Sequence, residues 1–248
     1  MRSRRAALSL ALAAVMAGCG TAERPSSAPR PDAARPDANG RADAGRGDAE
    51  SAAAGAAAGE AGFRPVRLAD CAAFPQEAID SWSSGQPGMF TTTGSPRGYL
   101  FTKRRYGDFT LVFEYRFVRP EAVTEEAELD GRNTGVLVYV PDEHRIWPRS
   151  PEVQGRHDEM AGIKSNAPDL KVAVIRDDEP MRQLARRPVG EWNEIRIVSR
   201  GGALATFLNG VKIAGTLPCE LRQGHVGFQS EGHEVHFRNV RIREDGSR

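Results

Sequence analysis

GRNTGVLVYVPDEHRIWPRSPEVQGRHDEMAG, residues 131–162, decides how the rest of the chain is read. Val136, Val138 and Val140 alternate with Leu137 and Tyr139, the two-residue period of a strand with different environments on its two faces. In Pro151–Gly155 the same alternation buries Val153 and sends Glu152 and Gln154 together to the opposite face. A carboxylate beside a carboxamide on a sheet face, with Trp147 close in sequence, has the make-up of a sugar subsite. An ordinary solvated strand face has the same pattern.

Outward from this stretch the texture repeats. Leu111, Phe113, Tyr115 and Phe117 alternate with Val112, Glu114, Arg116 and Val118. Glu191–Arg200 forms another such run, with Ile195 and Ile197 inward. It turns at Gly201-Gly202 into Leu204–Leu208, and Asn209-Gly210 then sets a tight hairpin into Val211–Ile213. Two further runs follow, His225–Gln229 and Val235–Ile242. No long 3.6-residue period appears after residue 63. Many short strands joined by turns, without crossover helices, predict an all-β protein of antiparallel sheets, a sandwich or jelly roll. The acidic run Glu121–Asp130 is expected to be a solvated loop.

The first quarter of the chain is different. Arg2, Arg4 and Arg5 precede the apolar run Ala6–Val15, too short for a permanent membrane span and suited to an export signal. Met16-Ala17-Gly18-Cys19 resembles a bacterial lipobox, so residues 1–19 are expected to be a lipoprotein signal peptide, with Cys19 lipidated. A plain secretory signal with a chance cysteine is the alternative. Residues 20–62 are rich in Ala, Pro, Arg, Asp, Gly and Ser and lack aromatics, the composition of a disordered linker. Its expected reach is roughly 35–40 Å by random-coil scaling. Residues 63–248 remain as one domain, large enough for its own core. The expected location is the bacterial cell envelope, lipid-anchored, with the outer membrane or periplasm favoured by Gly20.

The formal net charge is +1 over 248 residues, which gives no electrostatic reason to expect nucleic acid as a partner. Of three cysteines, Cys19 would carry lipid, leaving Cys71 and Cys219 either as a disulfide or as two separate buried thiols.

Catalytic serine elbows, Gly-rich phosphate loops, Cys-x-x-Cys and His-Glu-x-x-His are all absent from the sequence. No cofactor is expected. His157 and Asp158 are an acid–base or metal-binding pair beside Glu152 on one reading, which leaves a divalent metal open, and a polar loop on the other. His233 and His236, three apart on a strand, make a poor metal pair. Glu152 and Gln154 lack the additional carboxylates of a two-carboxylate retaining glycosidase.

Several segments together resemble the bacterial 3-keto-disaccharide hydrolase domain family. They are Gly98–Thr102, Tyr106–Leu111, Glu114–Arg116, Asn133–Val138, Trp147–Gly155, Pro188–Asn193, Leu208–Gly210, Gly227–Gly232 and His236–Val240. The resemblance covers nearly all of residues 80–244. It implies a concanavalin A-like jelly-roll sandwich of two antiparallel sheets, with a carbohydrate-binding face. It also implies cleavage of glycosides already oxidised at carbon 3. Thr134 stands where serine is usual. Tyr139 falls where many members have arginine, so contacts to substrate are expected to differ there.

The implied chemistry suits a chain with few paired carboxylates. A ketone at carbon 3 acidifies the carbon-2 proton, and the oxygen on carbon 1 can then leave by β-elimination. That requires a base, donors for the enolate oxygen and an acid for the leaving group. Glu152 is the expected base, with His157 and Asp158 as further catalytic candidates. Asn133, Tyr139, Trp147, Gln154, Gln229, Glu231 and Arg238 are the expected substrate contacts. A non-catalytic, lectin-like carbohydrate-binding surface lipoprotein is the rival reading, since this fold hosts both.

Overall fold

The computed structural model describes residues 61–121, 123 and 131–246. The expected signal peptide with Cys19, the linker up to residue 60 and most of the acidic run lie outside the described residues.

Among the described residues there are fifteen strands: β1 (Arg64–Pro65), β2 (Cys71–Phe74), β3 (Trp82–Gln86), β4 (Met89–Thr92), β5 (Gly98–Thr102), β6 (Phe109–Phe117), β7 (Gly135–Val140), β8 (Pro151–Gln154), β9 (Ile163–Ser165), β10 (Val174–Asp177), β11 (Asn193–Arg200), β12 (Ala203–Leu208), β13 (Val211–Thr216), β14 (His225–Ser230) and β15 (Val235–Glu244). Among the described residues there are three short 3-10 turns and one α-helix, α1 (Glu179–Ala185), capped by Asp178, whose carboxylate accepts the Met181 N–H. Its two turns are too short to show as a helical period in the sequence.

The strands make two antiparallel sheets. The larger runs β10-β13-β12-β11-β6-β15-β4-β3, with β1 added against β15, and the smaller runs β2-β5-β14-β7-β8-β9. They pack face to face as a sandwich, the layout expected from the alternating runs. Phe113, Tyr115 and Phe117 from β6 and Phe237 from β15 meet Val136, Val153, Val226 and Phe228 from the smaller sheet. Phe228 packs edge-on against both Phe90 at 5.2 Å and Phe113 at 5.8 Å, so aromatic interlocking joins the sheets. Asn209 and Gly210 both take positive φ, the geometry that a two-residue hairpin requires.

The alternation predicted for β7 holds up to Val138 and fails at Tyr139. Gly227 pairs with Leu137 and His225 with Val140, so β7 spends one residue more than β14 over the same span. That extra residue is a β-bulge, and Tyr139 takes φ 61 within it. Val138 and Tyr139 consequently both face the core, and Val140 joins Leu137 on the outer face. The Tyr139 phenol meets the Ser199 hydroxyl of β11 at 2.5 Å across the sandwich. Gly224 serves the bulge, since a β-carbon there would lie 2.3 Å from the Tyr139 carbonyl carbon.

Cys71 and Cys219 are free buried thiols, not a disulfide. The Cys71 thiol donates to the Arg67 carbonyl and the Cys219 thiol to the Leu221 carbonyl, each within its own turn. Burial pushes Cys71 up to about 12 and also raises Cys219, as expected of structural thiols.

Candidate functional site

The outer face of the smaller sheet carries the candidate site. Register places Leu137 opposite Glu152, Val136 opposite Val153 and Gly135 opposite Gln154. On the other side of β7, Phe228 lies opposite Val136 and Gly227 opposite Leu137. Continued outward, this alternation puts Gly135, Leu137, Glu152, Gln154, Gly227 and Gln229 on one face, away from the core. Such a face would be wet if it were an ordinary strand surface. Instead Glu152 and Gln229 are each only 2% exposed.

Gly135 makes their approach possible. A β-carbon there would stand 2.3 Å from Gln229 Oε1 and 2.9 Å from Glu152 Oε1. The Gln229 side chain and the Glu152 carboxylate therefore lean together over a bare patch of the middle strand. Lys164, which pairs with Glu152 on neighbouring β9, brings its ammonium to 3.5 Å from Glu152 Oε1. Burial raises the Glu152 pKa above the usual carboxylate range, opposed by Lys164 and by a hydrogen bond from Gln229.

Glu231 adds a second carboxylate immediately after β14. The Asn133 amide donates to its Oε2 at 2.5 Å. Burial and then the Glu152 charge push Glu231 up to about 7, with Lys164 and Arg97 pulling the other way. Asn133 Oδ1 and Gln229 Oε1 are buried and have no hydrogen-bond partner. Both are acceptor atoms, so each has room for a hydrogen bond donated by a ligand.

An aromatic end adjoins this polar centre. Tyr99 pairs with Gln229 across β5 and β14. Its hydroxyl meets His144 Nδ1 at 3.1 Å. The His144 ring lies 4.0 Å from that of Phe101 and 5.7 Å from that of Phe74. His225 contacts Asp142 through Nε2 at 2.9 Å.

The remaining predicted residues lie elsewhere or are already engaged. Gln154 shares the Glu152 face, but its Oε1 accepts the Arg156 N–H at 2.8 Å and is used in the following turn. His157 is buried, with its ring against the Arg187 carbonyl, and lies among Tyr115, Phe117 and Pro188 instead of beside Glu152. Asp158 is gripped by Arg156 through both oxygens, which lowers its pKa and makes it a poor base. Tyr139 is excluded by the bulge. Arg238 is on the outer face of the other sheet, because alternation in β15 buries Phe237. There it forms a two-pronged pair with Glu114 and covers Trp192 at 4.1 Å. Trp147 stands 53% exposed on the β7–β8 connection.

Sequence reasoning missed Lys164, Gly135 as a spacer and the pairing of Glu231 with Glu152. The two glutamates are distant in sequence, and the strand order β14-β7-β8 brings them close enough for the Glu152 charge to act on Glu231. Among the described residues, no group of three or more His, Cys, Asp or Glu side chains is arranged to hold a metal.

A family model for the 3-keto-alpha-glucoside-1,2-lyase-like domain matches residues 72–243, which include every strand of the candidate site. The chain belongs to this family. Two solved structures of candidate glycosyl hydrolases from Parabacteroides distasonis ATCC 8503 share the fold of this lyase-like domain. One is 22% identical with a TM-score of 0.52, covering 74% of this chain and 99% of its own. The other is 17% identical with a TM-score of 0.51, covering 75% and 94% respectively. No curated protein matches the sequence.

Proposed function

We propose that this domain cleaves glycosides bearing a ketone at carbon 3 of the glucosyl unit, by β-elimination followed by addition of water. The observation that carries the reading is the buried Glu152 carboxylate between Lys164 and Gln229, on a sheet face with two unpaired acceptor oxygens. Family membership supports the same substrate class.

Glu152 removes the carbon-2 proton, and burial strengthens it as a base relative to a solvated carboxylate. The enolate that forms at the carbon-3 oxygen is stabilised by donors, for which Lys164 and the Gln229 amide are the nearest groups. Collapse of the enolate restores the ketone, forms the carbon 1–carbon 2 double bond and expels the glycosidic oxygen. Water adding at carbon 1, with return of a proton to carbon 2, completes a net hydrolysis. Gln229 Oε1 and Asn133 Oδ1 hold sugar hydroxyls throughout. The deciding assay incubates the purified protein with plain and 3-keto disaccharides and looks for released monosaccharide. Only the 3-keto substrate should react, and Glu152→Gln should cut its turnover by about 10²–10⁴. Binding without turnover of either would establish the lectin-like alternative.

The proposal extends to location: Cys19 is the lipidated residue that anchors the domain to the cell envelope. Cys19→Ser should move the protein from the detergent to the aqueous phase, and unchanged partitioning would refute the anchor.

A further inference from the structure

We propose that Glu231 is the acid that protonates the departing glycosidic oxygen and then serves as the base for the water that replaces it. The inference rests on the elimination reading above and divides its proton transfers between two named carboxylates.

Four geometric facts carry it. Glu152 is on β8 and Glu231 follows β14, with β7 between them. Strands two apart are separated by roughly 10 Å at their backbones, enough to admit a sugar ring between side chains reaching from each. On β7 between them, Gly135 carries no side chain, and Gln229 and Glu152 reach over it with their Oε1 atoms. Asn133 grips Glu231 at Oε2 and thereby fixes how the carboxyl is aimed. Gln229, which is 98% buried by its 2% exposure, presents an unpartnered oxygen in the same place.

The protonation pattern agrees with this division. Glu152 has the Lys164 ammonium at 3.5 Å, which favours its carboxylate. The Glu152 charge in turn favours the acid form of Glu231, which titrates at about 7. A charged carboxylate that holds a second carboxyl group in its acid form separates base from acid within one site.

The steps balance. Glu152 takes the carbon-2 proton and becomes neutral, while the electron pair of that C–H bond enters the enolate. The enolate collapses, the carbon 1–oxygen bond breaks, and Glu231 gives its proton to the leaving oxygen. Glu231, now a carboxylate, takes a proton from water as it adds to carbon 1. Glu152 returns its proton to carbon 2, and both groups regain their starting states.

Leaving-group dependence tests the assignment. A 3-keto disaccharide must expel a poorly acidic sugar hydroxyl, whereas a 4-nitrophenyl 3-keto-glucoside expels a phenolate that needs no proton. Glu231→Gln keeps an oxygen for the Asn133 amide. It should slow the disaccharide by about 10²–10⁴ while changing the nitrophenyl substrate only a few-fold. Glu231→Asp, which retains an acid, should recover part of the disaccharide activity; if the Gln variant fails to fold, the same comparison is made with Asp. Equal losses on both substrates, or no loss on either, would overturn the role of Glu231 and leave the functional reading standing. If the wild-type protein cleaves neither substrate, the functional reading falls and the inference falls with it.

Discussion

The Lys164 ammonium sits 3.5 Å from Glu152 Oε1, across the β8–β9 pair. It opposes the burial that raises the Glu152 pKa. Lys164→Met should therefore raise that pKa further and move the acid limb of the pH–rate profile toward neutral pH. The variant should lose several-fold more activity at pH 5 than at pH 8, relative to wild type. A uniform loss across the range would show that Lys164 contacts substrate without tuning the base.

Glu231 should also leave its mark on stability. Its folded pKa of about 7 lies above the unfolded value, so the protonated form is favoured in the native state. The resulting stabilisation is fully present below the unfolded pKa and is lost as pH rises through about 7. His144 and His233, held low chiefly by burial, oppose this trend in the wild-type protein around pH 6. The difference between Glu231→Gln and wild type isolates the glutamate. That difference should move in favour of the variant by about 1–2 kcal/mol between pH 5 and pH 8, after discounting for partial solvent exposure. Chemical denaturation at the two pH values measures it, and a constant difference would mean that Glu231 titrates normally.

Gly135→Ala would place a methyl group 2.3 Å from Gln229 Oε1 and 2.9 Å from Glu152 Oε1. Both side chains must move away from the middle strand. A displacement of about 1 Å at reacting groups costs on the order of 10²-fold in rate, and kcat/KM should fall by at least that much. Wild-type kinetics in a folded variant would show that the spacer is dispensable.

Tyr139→Phe removes one hydroxyl from the inter-sheet contact with Ser199, which still donates to the Gly107 carbonyl at 2.5 Å. Stability should fall by about 1 kcal/mol, with KM unchanged. A several-fold rise in KM would return Tyr139 to the substrate.

The sequence made the sandwich legible because its strands alternate cleanly. Phe113, Tyr115, Ile195 and Ile197 are buried where the pattern puts them, and Asn209-Gly210 turns where its chemistry requires. The face that Glu152 takes was legible for the same reason, since it is flanked by Val153, which belongs in the core. Tyr139 was misread because one extra residue in β7 reverses the alternation, and nothing in the alternating run itself marks a bulge. Arg238 was misread because alternation gives a side of a strand, whereas the choice of sheet depends on pairing, and His157 because the 3-10 turn after β8 carries it away from Glu152 despite their nearness in sequence. The link between Glu231 and Glu152 depends on the order β14-β7-β8, which no local pattern encodes.

Strand β14 has a further consequence. Hydrogen-bonded between β5 and β7, it sends Val226 and Phe228 into the core and places Gln229 on the face of the carboxylates. A slip of one residue would drive Phe228 out among Glu152 and its neighbours and force Gln229 into the hydrophobic interior. Neither exchange can be tolerated alone, since both ride on the same backbone. Assembly of the interior therefore acts as a proofreading step for the outer face: a chain that has packed this strand correctly has also set Gln229 beside Glu152.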